Sequence, residues 1–277
     1  MNAKIAFGTF AFSSVLLTGC VTVKGNSSNV TVVNQPQNVR EYSVQSVMWQ
    51  QNAAEYRALC YQAFNLAKLR LDQKLALPEN QGKKLAIITD IDETVMDNSP
   101  YSAQMILDNH EYTSQTWKDW VNKAEAKEVP GATAFLNYAK SKGVEVFYVS
   151  NRKVDEVEAT IKNMLLLGFP FADKAHIYPK TDKSSKKSRF DEVAKTHKVL
   201  LYMGDNLSDF KEEFHTPSTT FRNQLADKLK NDFGVDFIAL PNPMYGDWEN
   251  RGIYQGRHDW TEAQKDSLQK ASLKGYK

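Results

Sequence analysis

Cysteine is nearly absent. The 277 residues hold two, Cys20 and Cys60, which excludes a disulfide-rich scaffold. Histidine is scarce too: the five are scattered, with no HExxH and no pair at zinc-binding spacing. Charge of one sign is lacking, with 35 Lys and Arg against 33 Asp and Glu. A net charge of +2 makes no strong field, so composition offers no case for nucleic acid as a partner. Long apolar runs are missing except at residues 5–17, and that run is too short to span a bilayer as a mature helix. No internal repeat is present. What remains is ordinary globular composition, 42% hydrophobic and 25% charged, with 5 Trp, 12 Tyr and 14 Phe to fill a core.

The N-terminus has the order of an exported chain. Lys4 precedes the apolar run, which fits the core of a signal peptide over residues 1–19. Leu17-Thr18-Gly19-Cys20 resembles the bacterial lipobox, in which the cysteine is lipidated and becomes the mature N-terminus. Acylation at Cys20 would anchor the protein to a membrane. Val21 rather than Asp follows, which by resemblance to lipoprotein sorting places the anchor in the outer membrane of the cell envelope. Residues 20–41, rich in Ser, Asn, Gln and Val, read as a flexible tether. Residues 42–277 form the expected domain. A lipidated Cys20 leaves Cys60 without a partner, and Cys60 sits in a helical apolar pattern that predicts burial.

Helical spacing over residues 42–77 predicts one or two amphipathic helices. An apolar run at 85–88 then ends in Asp90 and Asp92, with Thr94, Asp97 and Asn98 close behind. Residues 97–130 form a polar, aromatic-bearing insert, with a helix expected over 113–124. Strand candidates follow at 144–149, 176–178, 199–203 and 235–240. Helices are expected over 131–142, 154–167, 183–197 and 260–277. Repeated strand–helix units imply an α/β fold: a Rossmann-like parallel sheet with helices on both faces and a small α-helical cap.

Three of the apolar strands end in polar groups: Asp90 and Asp92, Ser150, and Asp205 with Asp209. A parallel sheet gathers those ends on one edge, where ligands bind in open α/β sheets. Carboxylates meeting there repel unless a hard divalent cation sits among them, and oxygen ligands alone favour Mg²⁺ over Zn²⁺. A hydroxyl and a lysine from the run 183–187 complete the parts of a phosphoryl-transfer site.

Asp90-Ile91-Asp92-Glu93-Thr94 resembles the DxDxT first motif of the haloacid dehalogenase superfamily. Ser150 resembles its second motif, Lys186 its third, and Gly204-Asp205-Asn206-Leu207-Ser208-Asp209 its fourth. IITDIDETVMDNSPY, FYVSNR, KSSKKSRF and YMGDNLSDF together resemble the bacterial class C acid phosphatases, lipoprotein 5′-nucleotidases of the outer membrane. The resemblance covers most of residues 42–260. It implies that Asp90 is the nucleophile, forming an aspartyl-phosphate, and that Asp92 is the acid and then the base. Mg²⁺ would be held by Asp90, Asp205 and the backbone carbonyl of Asp92. Ser150, Asn151 and Lys186 would bind phosphate, with Asp209 and Thr94 behind them orienting water or lysine. Lys183 and Lys187 stay open as rivals of Lys186, which fits the family spacing best.

The same resemblance implies a phosphomonoester substrate, including nucleoside monophosphates, nicotinamide mononucleotide and aryl phosphates, with stacking rings such as Tyr101 and Tyr245. It also implies a possible homodimer. Two other readings stand beside it: a phosphotransferase to alcohols, and a surface lipoprotein that binds haem or nucleotide.

Overall fold

The structure, a computed structural model, describes residues 40–276. The expected signal peptide, Cys20 and the tether through residue 39 lie outside the described residues. In chain order the elements are α1 (Glu41–Asn52), α2 (Ala54–Leu75), β1 (Leu85–Thr89), β2 (Met96–Asp97), α3 (Ser99–Leu107), α4 (Ser114–Lys123), β3 (Lys127–Glu128), α5 (Ala132–Ser141) and β4 (Val144–Lys153). They continue with α6 (Val157–Leu166), β5 (Ile177–Lys180), α7 (Lys187–Ala194), β6 (Lys198–Gly204), α8 (Thr219–Lys228), β7 (Phe237–Ala239), α9 (Asp247–Asn250) and α10 (Glu262–Ser272).

Five strands make a parallel sheet in the order β5-β4-β1-β6-β7, so β1 is central. Its alternating side chains explain the two helical layers. Ile87 joins a large core with Cys60, Phe64 and Leu71 of α2 and Phe135 and Leu136 of α5. Ala86 and Ile88 point the other way, into a smaller cluster with Phe147, Val149 and Val193 of α7. Both faces are covered, so the strand needs apolar residues at every position, and it reads as a run rather than an alternation. Each large side chain buried here contributes about 1.5–3 kcal/mol. The pairing of β6 with β1 shifts between Ala86 and Ile87, and the extra residue puts both Leu200 and Leu201 into the larger core. Cys60 is buried and unpaired, as its helical pattern predicts.

Several expected boundaries moved. The helix expected over 183–197 runs only from Lys187 to Ala194. Ser184 and Ser185 precede it, and the Ser185 hydroxyl accepts from the Lys187 backbone, a local bond that competes with helix at that end. The strand expected over 144–149 runs to Lys153, because the pairing with β5 continues to Lys153↔Lys180. Helices α3 and α8 were not expected. Pro100 in the first turn favours α3, and Ser218 caps α8 through the Phe221 N–H.

Strands β2 and β3 pair antiparallel, Met96 with Glu128 and Asp97 with Lys127. Helices α3 and α4 lie in the chain between them. Helix α4 starts with a capping box of Thr113 and Thr116 and stops at Ala124 in the left-handed region, φ 56°.

Candidate active site

The carboxyl ends of β1, β4 and β6 meet at one edge of the sheet. The Asp90 N–H donates to Met203 O at 2.9 Å, which extends the β1–β6 ladder one residue past the strand and fixes the Asp90 backbone. Lys186, the residue just before α7, is buried and donates to Asp90 Oδ1. It also pairs with Asp209 Oδ1 at 2.7 Å. Of the three lysines raised by the sequence, Lys186 is the one that reaches the acids. Lys183 is exposed, and Lys187 pairs with Asp191 on the surface.

Asp90, Asp205 and Asp209 form one group, with a carboxylate oxygen of each within 4.8 Å of the others. Burial pushes Asp90 up to about 7 against the pull of Lys186, and Asp209 and Asp92 push the same way as burial. Asp205 is likewise raised, by burial first and then by Asp209 and Asp90. Burial works against the charge on Lys186, but Asp209 and Asp90 outweigh it and raise its pKa. One ammonium thus pairs with two buried carboxylates, and a third, half-buried Asp205, lies beside them. This oxygen-only, negatively overcharged set fits a hard divalent cation. Asp205 is held in place by two donors, accepting from Thr94 Oγ1 at 3.1 Å and from Asn242 Nδ2 at 2.8 Å.

Gly204 ends β6 directly under Asp209. A Cβ there would lie 2.8 Å from Asp209 Cγ, with other atoms of that side chain closer still, so no larger residue lets Asp209 occupy this place. The Asp209 carboxylate also caps the following turn, accepting from the Asn206 N–H at 3.0 Å.

Asp92 turns away from the acid group. Its Oδ1 accepts from Arg152 Nη2 at 2.8 Å, Arg152 Nε at 3.0 Å and Asn98 Nδ2 at 2.9 Å. Its Oδ2 lies 3.4 Å from Ser150 Oγ and 3.3 Å from Arg152 Nε. Ser150 is therefore beside the acids, as its place after the apolar run 144–149 predicts. Asn151 is exposed, and its side-chain oxygen accepts from Arg189 Nη2 at 2.8 Å. Arg189 also donates to Ser150 O at 2.6 Å and Ser185 O at 3.1 Å, tying the β4 end to the loop that carries Lys186. A cleft of ≈ 220 Å³ opens beside Lys186 and Asp209, with Asn151, Asn206, Ser208 and Arg251 in its walls.

The two rings singled out for substrate have other contacts. Tyr101 is buried beneath the cap: its ring meets Trp117 edge-on at 5.2 Å, and its hydroxyl bonds Thr116 Oγ1 at 3.0 Å. Tyr112, 54% exposed, completes that aromatic trio and is the ring that faces solvent. Tyr245, from the loop after β7, donates to Glu93 Oε1 at 3.0 Å.

Glu93 is a residue sequence reasoning passed over. It is fully buried at φ 59°, and burial pushes its carboxyl up to about 8, with Asp97 next in effect. Gln50 of α1 donates to it at 2.7 Å and to Asp97 at 2.9 Å, and the Asn98 N–H adds a third bond. Arg152, Asn98, Asn242 and Gln50 were also missed. Only Arg152 carried a signal: it stands two residues after Ser150, on the same side of an extended chain.

The family model for the HAD superfamily, subfamily IIIB (Acid phosphatase), matches residues 7–248. Among solved structures, the class C acid phosphatase from Bacillus anthracis is similar at 41% identity and TM-score 0.83, over 87% of this chain and 100% of that one. The same enzyme with tungstate bound gives the same figures. Among curated proteins, the Stem 31 kDa glycoprotein of Glycine max is 26% identical over 161 residues, 56% of this chain. The Stem 28 kDa glycoprotein of Glycine max is 24% identical over 169 residues, 58% of this chain. The matches span only 57% and 60% of those two proteins. Acids at the ends of β1 and β6, a lysine before α7 and a five-stranded parallel sheet agree with that likeness along nearly the whole described chain, and the chain belongs to the HAD superfamily, subfamily IIIB, the acid phosphatases.

Proposed function

We propose that the protein is a Mg²⁺-dependent phosphomonoesterase acting on nucleoside monophosphates, nicotinamide mononucleotide and aryl phosphates through an aspartyl-phosphate on Asp90. The observation that carries this is the group Asp90, Asp205 and Asp209, with the Lys186 ammonium paired to Asp90 and Asp209. The tungstate bound to the Bacillus anthracis relative, a tetrahedral oxyanion like phosphate, supports the substrate class.

Each residue has a task in this reading. An Asp90 carboxylate oxygen attacks phosphorus as the ester P–O bond breaks, and Asp92 gives a proton to the departing oxygen. Water then attacks the aspartyl-phosphate, gives its proton back to Asp92 and frees Asp90. Ser150 Oγ and Lys186 Nζ donate to the non-bridging oxygens. Asp209 holds the Lys186 ammonium beside Asp90. Mg²⁺ held by Asp90, Asp205 and the Asp92 backbone carbonyl would supply positive charge against the phosphoryl oxygens. Cys20 lipidation and an outer-membrane location complete the proposal; their support is the sequence Leu17-Thr18-Gly19-Cys20-Val21. Among the described residues no helix is long and apolar enough to cross a membrane.

The test is phosphate release from a panel of nucleoside monophosphates and aryl phosphates, with Mg²⁺ and after chelation with EDTA. Release from several substrates, falling at least about tenfold on chelation and returning with added Mg²⁺, is the expected result. No release from any of them with Mg²⁺ present sinks the proposal.

Gly204→Ala offers a structural check on the same site. The new methyl displaces Asp209, Lys186 loses one of its two carboxylates, and kcat falls by roughly 100-fold while the sheet stays folded. Steady-state kinetics with circular dichroism read both. Unchanged kcat would mean that the Asp209–Lys186 contact is idle.

A further inference from the structure

Arg152 has no role in the reading above, yet its guanidinium is heavily engaged beside the acids. It is buried, 4% exposed. Its Nε and Nη2 form a fork on Asp92 Oδ1, at 3.0 and 2.8 Å. Its remaining nitrogen, Nη1, donates to Thr160 Oγ1 at 3.0 Å, and Thr160 in turn donates to Glu156 O at 2.8 Å. Over the guanidinium lies the ring of Trp117 from cap helix α4, centroid 5.5 Å from Cζ. The guanidinium is thus held from three sides: by an acid of the site, by a hydroxyl of α6 and by a ring of the cap.

The two oxygens of Asp92 are treated unequally. Oδ1 takes three donors, two from Arg152 and one from Asn98 Nδ2 at 2.9 Å. A carboxylate oxygen has about two lone pairs, so Oδ1 has no capacity left for a proton in flight. Oδ2 keeps only long contacts, 3.4 Å to Ser150 Oγ and 3.3 Å to Arg152 Nε. We propose that Arg152 is the positioning residue of Asp92: with Asn98 it saturates Oδ1, leaves Oδ2 as the oxygen that passes the proton, and fixes the direction in which Oδ2 points. Trp117 and Thr160 keep the fork in place, so the cap contributes to the geometry of the acid through Arg152. This inference rests on the assignment of Asp92 as acid and base.

A group acting through the acid matters most where the leaving group needs a proton. An alkoxide departs poorly without one, whereas p-nitrophenolate departs well. The parameter kcat/KM covers binding and the first phosphoryl transfer alone, so the later hydrolysis of the aspartyl-phosphate does not mask the effect. The experiment compares kcat/KM for glycerol 2-phosphate and p-nitrophenyl phosphate in wild type, Arg152→Gln, Arg152→Lys and Thr160→Val, with inorganic phosphate inhibition alongside. The expected result for Arg152→Gln is a fall of about 100-fold on the alkyl ester and less than about 10-fold on the aryl ester. Arg152→Lys keeps the charge but loses the fork, and recovers only part of the ratio. Thr160→Val frees one guanidinium nitrogen without touching Asp92, and shifts the alkyl-to-aryl ratio in the same direction by about 3-fold or more.

An equal fall on both esters, or a weakened inhibition constant for inorganic phosphate, would overturn the proposal by making Arg152 a phosphate binder or a packing residue. If Arg152→Gln does not fold, Thr160→Val carries the test, and an unchanged ratio in it overturns the proposal. Asp92→Asn separates this from the underlying assignment. If Asp92→Asn turns over glycerol 2-phosphate like wild type, the acid itself is misassigned. If it is inactive there while Arg152→Gln keeps the wild-type ratio, only the role of Arg152 falls.

Discussion

Asp90→Asn abolishes turnover while leaving the protein at least as stable as wild type. The amide has the shape of the carboxylate but is a poor nucleophile, so phosphate release falls by on the order of 10³-fold or more. Stability moves the other way because of the charge balance. Three carboxylates lie close together, only Asp90 and Asp209 pair with the Lys186 ammonium, and burial already pushes Asp90 up to about 7. Removing one of those charges relieves repulsion with Asp205 and Asp209, and Lys186 keeps its bond to Asp209. Melting in EDTA is the measurement, since a bound cation would hide the repulsion. A variant that is inactive and melts several degrees lower would show that the carboxylate is chiefly structural. Robust release by a folded Asp90→Asn would remove it from the nucleophile's role.

Lys186→Met has the second-largest expected effect, and here activity and stability fall together. The methionine fills nearly the same volume but leaves Asp90 and Asp209 buried without their counter-charge. Breaking a buried ion pair from one side costs about 3–5 kcal/mol. Activity falls by on the order of 10³-fold, because the same ammonium would neutralise the attacking carboxylate and the phosphoryl oxygens. The loss of stability should be largest in EDTA and smaller with added Mg²⁺, since a cation bound among the acids stabilises the folded state by mass action. Denaturant midpoints with and without Mg²⁺ read this directly. An Mg²⁺ response in Lys186→Met no greater than in wild type would place the cation elsewhere.

How far the site was legible depended on where its parts lie in the chain. Asp90 and Asp92 follow the apolar run of β1, Asp205 and Asp209 follow that of β6, and Ser150 follows the apolar residues 144–149 inside β4, a local pattern visible without a structure. Lys186 could be placed only among three lysines, and its burial just ahead of α7 separates it from the two exposed ones. The partners that orient these groups come from far away. Gln50 reaches Glu93 across 43 residues, and Asn242 reaches Asp205 across 37. Amides such as these leave no periodic mark, since one polar residue in a helix or loop looks like any other exposed position. The sheet was legible because each central strand is apolar on both faces. Helix α3 was not, since only nine residues make it. Tyr101 drew notice by adjacency to the first acids, and its ring packs edge-on against Trp117 of α4.

The short ladder of Met96–Asp97 with Lys127–Glu128 has a consequence for how such an enzyme can diversify. The segment carrying α3 and α4 departs from the sheet domain and rejoins it at adjacent points, held by main-chain bonds. Lengthening or rewriting that segment leaves the gap to be closed unchanged, and the entropy of a longer loop grows only slowly. The segment can therefore change in length and sequence while the sheet that carries the acids stays constant. Two restrictions remain on this freedom: Asn98 must still reach Asp92, and whatever replaces α4 must still present a flat apolar surface to the guanidinium of Arg152.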